Sequence, residues 1–173
     1  MGSYSELASD EYLLQQVGDA KSVTIIGCPY CTNQSIAYVK DMKVIGKSSL
    51  GGLILRPYAV TQEANRIKEL FEKRGISTNI KTFGLPSWAL CWLNQKSRSK
   101  IAKACENSDA AIALCCSAGR WGIESALPES SKVIAGMATV GTISAYLSVE
   151  NGKVVLDKDK TKIVRFKEMK QKT

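Results

Sequence analysis

The chain of 173 residues contains no histidine. This absence excludes Ser-His and Cys-His catalysis, imidazole general bases and mixed Cys/His zinc sites, and it leaves thiolates and carboxylates as side-chain metal ligands. No apolar run approaches the roughly 18 residues that a membrane span needs. The N-terminus also lacks the basic, apolar and small-residue pattern of a secretory signal peptide. We therefore predict a cytoplasmic protein that does not enter a membrane.

Aromatic residues are nearly absent from the most basic part of the chain. The net charge is +8, and between Lys153 and Lys172 there are eight Lys or Arg residues against three acidic ones. A nucleic-acid arm normally interleaves stacking residues with its charges. We therefore interpret residues 157–173 as a basic, solvated C-terminal segment and expect no nucleic-acid partner.

Cysteine is the residue type that this chain has in excess. A reducing compartment disfavours structural disulfides, so six cysteines indicate metal binding or thiol chemistry. They are Cys28, Cys31, Cys91, Cys105, Cys115 and Cys116.

Apolar periodicity predicts strands that alternate with helices through most of the chain. The predicted helices are Ser5–Val17, Thr32–Asp41, Thr61–Lys73, Ser97–Cys105 and Ser117–Gly122. The predicted strands are Ser22–Ile26, Leu53–Leu55, Ile76–Thr82, the run "AAIALCC" after Asp109, and Ser131–Ile134, followed by a hairpin over Gly141–Leu156. This order favours one α/β domain over residues 1–156, with a mostly parallel sheet flanked by helices and a C-terminal β-hairpin.

The cysteines follow the predicted strands at the edge where ligands gather in open α/β sheets. Cys28 and Cys31 form a CxxC pair after one strand, Cys115 and Cys116 follow another, and Cys91 lies after a third. Three loops can thus bring four thiolates together, the number that a tetrahedral zinc or a [4Fe–4S] cluster requires.

The individual cysteines differ in what the pattern indicates. Adjacent side chains of a strand point to opposite faces, so only one of Cys115 and Cys116 is expected to face the site. The start of a helix after Cys31 favours a thiolate there. Cys105 lies on an apolar helix face, where a cysteine is a small buried hydrophobe.

Two resemblances bear on the function. The sequence "CPYC" between a strand and a helix resembles the glutaredoxin active site, but the match ends at the motif and leaves Cys91 and Cys115 unexplained. A broader resemblance is carried by "IIGCPYC", "WALCW", "ALCCSAG", "RWGIESAL" and "VIAGMATVGTISAYLSVENGKVVL". On these segments the chain is similar to the cysteine-containing small subunit, or C-terminal domain, associated with methylenetetrahydrofolate reductases of acetogens and related anaerobic one-carbon pathways.

That second resemblance implies a Rossmann-like domain that binds an iron–sulfur cluster or zinc. Its ligands would be Cys28, Cys31, Cys91 and one of Cys115 or Cys116. The implied partner is a flavin-dependent TIM-barrel reductase subunit or a corrinoid or methyltransferase protein. Members often carry further cysteines near the C-terminus, whereas this chain has none after Cys116.

We therefore expect a metal-binding accessory subunit, with a [4Fe–4S] cluster as the cofactor and zinc as the alternative. It would transfer electrons or organise a partner in tetrahydrofolate- or corrinoid-linked one-carbon metabolism. The alternatives are a thiol-disulfide oxidoreductase, with Cys28 as nucleophile and Cys31 as resolving thiol, and a structural zinc module. An acyl- or nucleotide-binding module is disfavoured because the chain has no GxGxxG, and "GKSS" at Gly46 lacks the preceding glycine and the strand context of a phosphate loop.

Overall fold

The computed structural model describes residues 1–46, 56–84, 89–151 and 153–169. The strands are β1 (Gly2–Leu7), β2 (Ser22–Gly27), β3 (Ser77–Thr82), β4 (Ala110–Leu114), β5 (Lys132–Ala135), β6 (Met137–Ser144), β7 (Leu147–Glu150), β8 (Lys153–Leu156) and β9 (Lys162–Arg165). The helices are α1 (Asp10–Val17), α2 (Cys31–Lys40), α3 (Ala59–Glu72), α4 (Gln95–Cys105), α5 (Ser117–Glu124) and α6 (Phe166–Met169).

Four parallel strands in the order β3-β2-β4-β5 form the central sheet. Every residue of β4 is buried, as expected for an apolar strand covered on both faces. The parallel sheet, its helical connections and a mixed α/β architecture are therefore as the sequence predicts. The predicted strand Leu53–Leu55 lies outside the described residues.

Helices cover both faces of this sheet. Ile25 and Ile112 point to one face and pack in a cluster with Phe71 of α3, together with residues of α1 and α2. Ile26 and Ala113 are each the next residue along their strands, so they point to the opposite face. There they pack in a second cluster with residues of α4 and α5.

The N-terminus corrects the prediction of one helix from Ser5 to Val17. Residues Gly2–Leu7 form β1, which pairs antiparallel with β6, and the helix begins only at Asp10. The apolar spacing of this region imitates a helix, but pairing with a strand more than 130 residues away overrides it. Ser9 caps α1, because its hydroxyl accepts a hydrogen bond from the Tyr12 amide at 3.2 Å.

The C-terminal part adds two antiparallel elements. β7 and β8 form the predicted hairpin, in which Glu150 pairs with Lys153 around Asn151, whose φ is 50°. The sequence analysis placed the start of the hairpin too early, because residues Gly141 to Ser144 belong to β6. β9 pairs with the other edge of β6, so Lys162–Arg165 are part of a sheet, with three of the four residues exposed.

Within the described residues, the structure contains no helix of the length and apolarity that crossing a membrane would require.

Candidate functional site

The carboxyl ends of β2 and β4 bring together cysteines that are 87 residues apart in the chain. Gly27 and Leu114 are paired at the ends of these neighbouring strands, and Cys28 and Cys115 are the next residues in each. The Cys28 amide donates a hydrogen bond to the Leu114 carbonyl at 3.0 Å, which extends the pairing by one step. Both side chains are buried in the apolar cluster beneath α4 and α5.

This edge of the sheet is also where the connections diverge. From β2 the chain passes through α3 to β3 on one side of β2, and from β3 it returns through α4 to β4 on the other side. A crevice opens at such a switch point, outside the carboxyl ends of the strands, and it is where ligands bind in open α/β sheets.

Cys28 is held as a buried thiol with amide groups directed at its sulfur. Burial raises the pKa of Cys28 to about 11, while the backbone N–H groups of Leu90 and Tyr30 oppose that shift. The charges of Cys116 and Cys91 add to the rise, so these thiols lie within electrostatic range of Cys28. Burial, together with the charges of Cys28 and Cys116, likewise raises the pKa of Cys115.

The second pair of thiols, Cys31 and Cys116, lies where two helices begin. Cys31 is the first residue of α2, and Cys116 is the residue that immediately precedes α5. The Cys31 and Cys116 thiols interact with each other, which lowers the pKa of Cys116 and raises that of Cys31. The amides of Gly119 and Ala118, in the first turn of α5, further lower the pKa of Cys116.

Strand β1 covers this second pair of thiols. The Ser3 hydroxyl helps to lower the pKa of Cys116, and the Ser3 backbone amide acts on Cys31 in the same direction. A Cβ atom on Gly2 would lie 2.8 Å from the Cys31 Cβ, so only glycine allows β1 this approach. Sequence reasoning missed both residues, because their position depends on the pairing of β1 with β6.

Cys91 is exposed, and its segment rests on α5. A Cβ atom on Gly122 would lie 1.9 Å from the Leu90 carbonyl oxygen, and one on Gly119 would lie 3.3 Å from the Leu90 Cβ. The two glycines are three residues apart and therefore share a face of the helix. Their spacing, "GRWG", is the sequence signal by which this contact could have been found.

Cys105 lies apart from the other cysteines. It is the last residue of α4, and with Ala110 and Lys132 it lines a cavity of about 590 Å³ at the amino ends of the strands. Burial raises the pKa of Cys105 to about 11. Its packing against the second apolar cluster agrees with its interpretation as a small hydrophobe.

The structure thus brings Cys28, Cys31, Cys91, Cys115 and Cys116 to one end of the sheet. Cys115 and Cys116 both lie beyond the end of β4, and they turn to different neighbours, the apolar cluster and Cys31 respectively. Among the described residues, no three Cys, Asp or Glu side chains are close enough to form a metal-binding group.

Comparison of the chain with protein-family models, curated proteins and solved structures found no match.

Proposed function

We propose that this protein is a metal-binding accessory subunit, with a [4Fe–4S] cluster as its cofactor and zinc as the alternative. The observation that supports this most is the convergence of five cysteines from three connections at the switch point of the sheet. Packing alone does not require so many thiols at one end of a sheet. The strand order β3-β2-β4-β5 also supports a Rossmann-like domain, since it reverses direction between β2 and β4.

The hydrogen-bond donors around two of the sulfur atoms favour a thiolate, the form in which cysteine binds a metal. Backbone N–H groups are directed at Cys28 and at Cys116, and such donors stabilise the negative charge of metal-bound sulfur. The buried side of the site is apolar, which limits the access of water. Metal binding must displace the thiol protons, so the raised pKa of Cys28 opposes binding at low pH.

Cys116 is the better candidate for the fourth ligand. It lies against Cys31 at the start of α5, where its thiolate is already stabilised. Cys115 is directed into the apolar cluster, where burial opposes ionisation. We therefore assign the ligands as Cys28, Cys31, Cys91 and Cys116, with Cys115 as the alternative to Cys116.

The proposed role of the metal centre is electron transfer, or the organisation of a partner, in tetrahydrofolate- or corrinoid-linked one-carbon metabolism. The motifs "IIGCPYC", "WALCW" and "ALCCSAG" support this role through their resemblance to the small subunit associated with methylenetetrahydrofolate reductases. The proposed partner is a flavin-dependent TIM-barrel reductase subunit or a corrinoid or methyltransferase protein.

Anaerobic purification, followed by metal analysis and visible spectroscopy, tests the proposal. We expect a brown protein with about four iron and four sulfide ions per chain. Substitution of Cys28, Cys31, Cys91 or Cys116 by serine should lower the metal content, whereas Cys105→Ser should leave it unchanged. The metal content of the Cys115→Ser variant distinguishes Cys115 from Cys116 as the fourth ligand.

A colourless protein with one zinc per chain would identify the alternative cofactor. A wild-type protein that binds neither metal, even after anaerobic reconstitution with iron and sulfide or with zinc, would contradict the proposal.

Thiol-disulfide exchange is a second candidate, and the interaction between Cys31 and Cys116 favours it. The thiolate that the structure stabilises is Cys116, whereas the raised pKa of Cys28 disfavours Cys28 as the nucleophile. An oxidoreductase on this fold would therefore use Cys116 as nucleophile and Cys31 as resolving thiol. Exchange with a small disulfide should then be lost in Cys116→Ser and retained in Cys28→Ser.

A further inference from the structure

Large aromatic side chains are exposed next to the candidate ligand cysteines in the chain and on α5. Trp92 follows Cys91 and is 73% exposed, and Trp121 on α5 is 68% exposed. Tyr30, between Cys28 and Cys31, is 36% exposed. Exposed tryptophans that cluster on one face mark interaction surfaces, where this residue type contributes strongly to binding energy.

The two tryptophans are brought together by the contact between α5 and the segment that carries Cys91. The Leu90 carbonyl oxygen lies where a Cβ atom on Gly122 would be, at 1.9 Å. Trp92 is two residues beyond Leu90, and Trp121 immediately precedes Gly122. Both side chains therefore lie within two residues of this contact in the chain, and the exposed Cys91 directly precedes Trp92.

Trp92 lies within the least acidic part of the chain. From Lys73 to Cys105 the sequence contains no Asp or Glu. The basic residues of this stretch are Lys73, Arg74, Lys81, Lys96, Arg98, Lys100 and Lys103. Lys81 lies near the carboxyl end of β3, beside β2, with its Nζ 5.9 Å from the centre of the Phe83 ring.

Helix α4 carries four of these seven basic residues. Lys96, Lys100 and Lys103 are exposed, and none of them has an ion-pair partner in the part of the chain that the structure describes. Arg98 joins α4 to the end of α5 through hydrogen bonds to the Ser125 carbonyl and hydroxyl oxygens at 2.9 and 2.8 Å. The cations and the tryptophans thus lie on neighbouring helices.

We propose that the surface formed by Trp92, Trp121 and the exposed face of α4 is the docking site of an acidic electron-carrier protein. An apolar centre with a charged rim is the usual anatomy of a protein–protein interface, and cations without partners attract an acidic partner and accelerate its association. The choice of an electron carrier rests on the proposed function, because Trp92 directly follows the candidate ligand Cys91. The acidic character of the partner follows from the charge distribution alone.

A protein partner explains this arrangement better than a single-stranded nucleic acid. A nucleic-acid site combines stacking side chains with cations along a groove that follows the phosphate backbone. Here the tryptophans lie on the segment after Cys91 and on α5, whereas the cations lie along the outside of α4, so stacking side chains and cations are on separate elements.

Calorimetric titration of the full chain with a bacterial flavodoxin, a small acidic electron carrier, tests the proposal. We expect binding that weakens as salt is raised. The double variant Lys96→Glu/Lys100→Glu and the single variant Trp121→Ala should each weaken binding roughly tenfold or more. The matched control is Lys153→Glu/Lys162→Glu, which changes the net charge equally on exposed residues of β8 and β9 and should leave the affinity unchanged.

The proposal is overturned if flavodoxin does not bind, if the control variant weakens binding as much as the α4 variant, or if a single-stranded oligonucleotide binds more tightly than flavodoxin. Metal content is measured on every sample. A chain that binds flavodoxin at this surface but holds no metal would contradict the proposed function and leave the docking surface standing.

Discussion

The thiols of Cys31 and Cys116 interact with each other, although the two residues are 85 positions apart in the chain. The CxxC motif pairs Cys31 with Cys28 in the sequence, but in the fold these two thiols have different environments. Cys28 is buried with Cys115 in the apolar cluster, whereas Cys31 and Cys116 lie at the starts of two helices under β1. The cysteine site is therefore organised by pairs that join different loops.

Replacement of Cys31 by alanine should raise the pKa of Cys116, because the interaction with Cys31 is the largest cause of its low value. In the metal-free, reduced protein, the pH midpoint for alkylation of Cys116 by iodoacetamide should move upward, as measured by mass spectrometry. Cys31→Ser keeps a hydroxyl donor and should shift the midpoint less. An unchanged midpoint in Cys31→Ala would show that the pair does not interact.

The buried Cys28 thiol should make the metal-free protein less stable at alkaline pH. Burial raises the pKa of Cys28 from 9.0 to about 11, so the unfolded chain ionises first. The buried, protonated Cys28 thiol stabilises the folded protein fully below pH 9, and this stabilisation is lost as the pH rises through about 11. The loss is about 3 kcal/mol, since each pKa unit corresponds to about 1.4 kcal/mol.

Denaturant unfolding of the wild type and of Cys28→Ala between pH 8 and about pH 11 measures this contribution. The free energy of unfolding should fall more steeply with pH in the wild type. Lysine and tyrosine titrate in the same range, but their contributions cancel in the difference between the two proteins. Parallel curves would contradict the prediction.

The sequence was sufficient to predict the sheet and the edge at which the cysteines gather, because both depend on local signals. The apolar run "AAIAL" specifies a strand buried on both faces, and residues that follow parallel strands lie at a common edge. The positions of Cys28 and Cys115 follow from these two rules. Individual ligand assignments, the metal and the partner stay predictions.

The structural features that the sequence did not predict depend on contacts between segments that are distant in the chain. Ser3 reaches the thiols only because β1 pairs with β6, and the local pattern of the N-terminus indicated a helix instead. The approach of Leu90 to α5 depends on the absence of a side chain at Gly122. A glycine within a predicted helix does not by itself indicate which segment packs against it. Such contacts become visible only when the topology is known.

Substitution of Gly122 by alanine should displace the segment that carries Cys91. The new methyl group would lie 1.9 Å from the Leu90 carbonyl oxygen, and backbone atoms cannot yield as a flexible side chain does. Overpacking of this kind costs about 1–3 kcal/mol, and the better helix propensity of alanine recovers about 1 kcal/mol. We therefore expect a lower free energy of unfolding together with faster alkylation of Cys91.

Gly119→Ala is the matched control for that substitution. Its methyl group would lie 3.0 Å from the Cys115 Cβ and 3.3 Å from the Leu90 Cβ, which is a milder crowding. The increase in the alkylation rate of Cys91 should therefore be smaller than in Gly122→Ala. Equal alkylation rates of Cys91 in the wild type and in Gly122→Ala would show that the segment does not rest on α5.

Replacement of Thr32 by valine should stabilise the protein. Thr32 follows Cys31 in α2 and is fully buried, and its hydroxyl has no hydrogen-bond partner among the described residues. A buried hydroxyl without a partner costs about 1–3 kcal/mol, so the isosteric valine should raise the free energy of unfolding of the metal-free protein by about 1 kcal/mol or more.

Thr24→Val is the matched control for Thr32→Val. Thr24 is equally buried, but its hydroxyl donates to the Ala104 carbonyl at 2.9 Å and lies 2.7 Å from the Ser108 hydroxyl. Its loss should therefore lower the free energy of unfolding. If Thr32→Val instead destabilises the protein, or lowers the metal content at unchanged stability, the Thr32 hydroxyl has a partner in the working protein. Its position beside Cys31 would then make it part of the metal site.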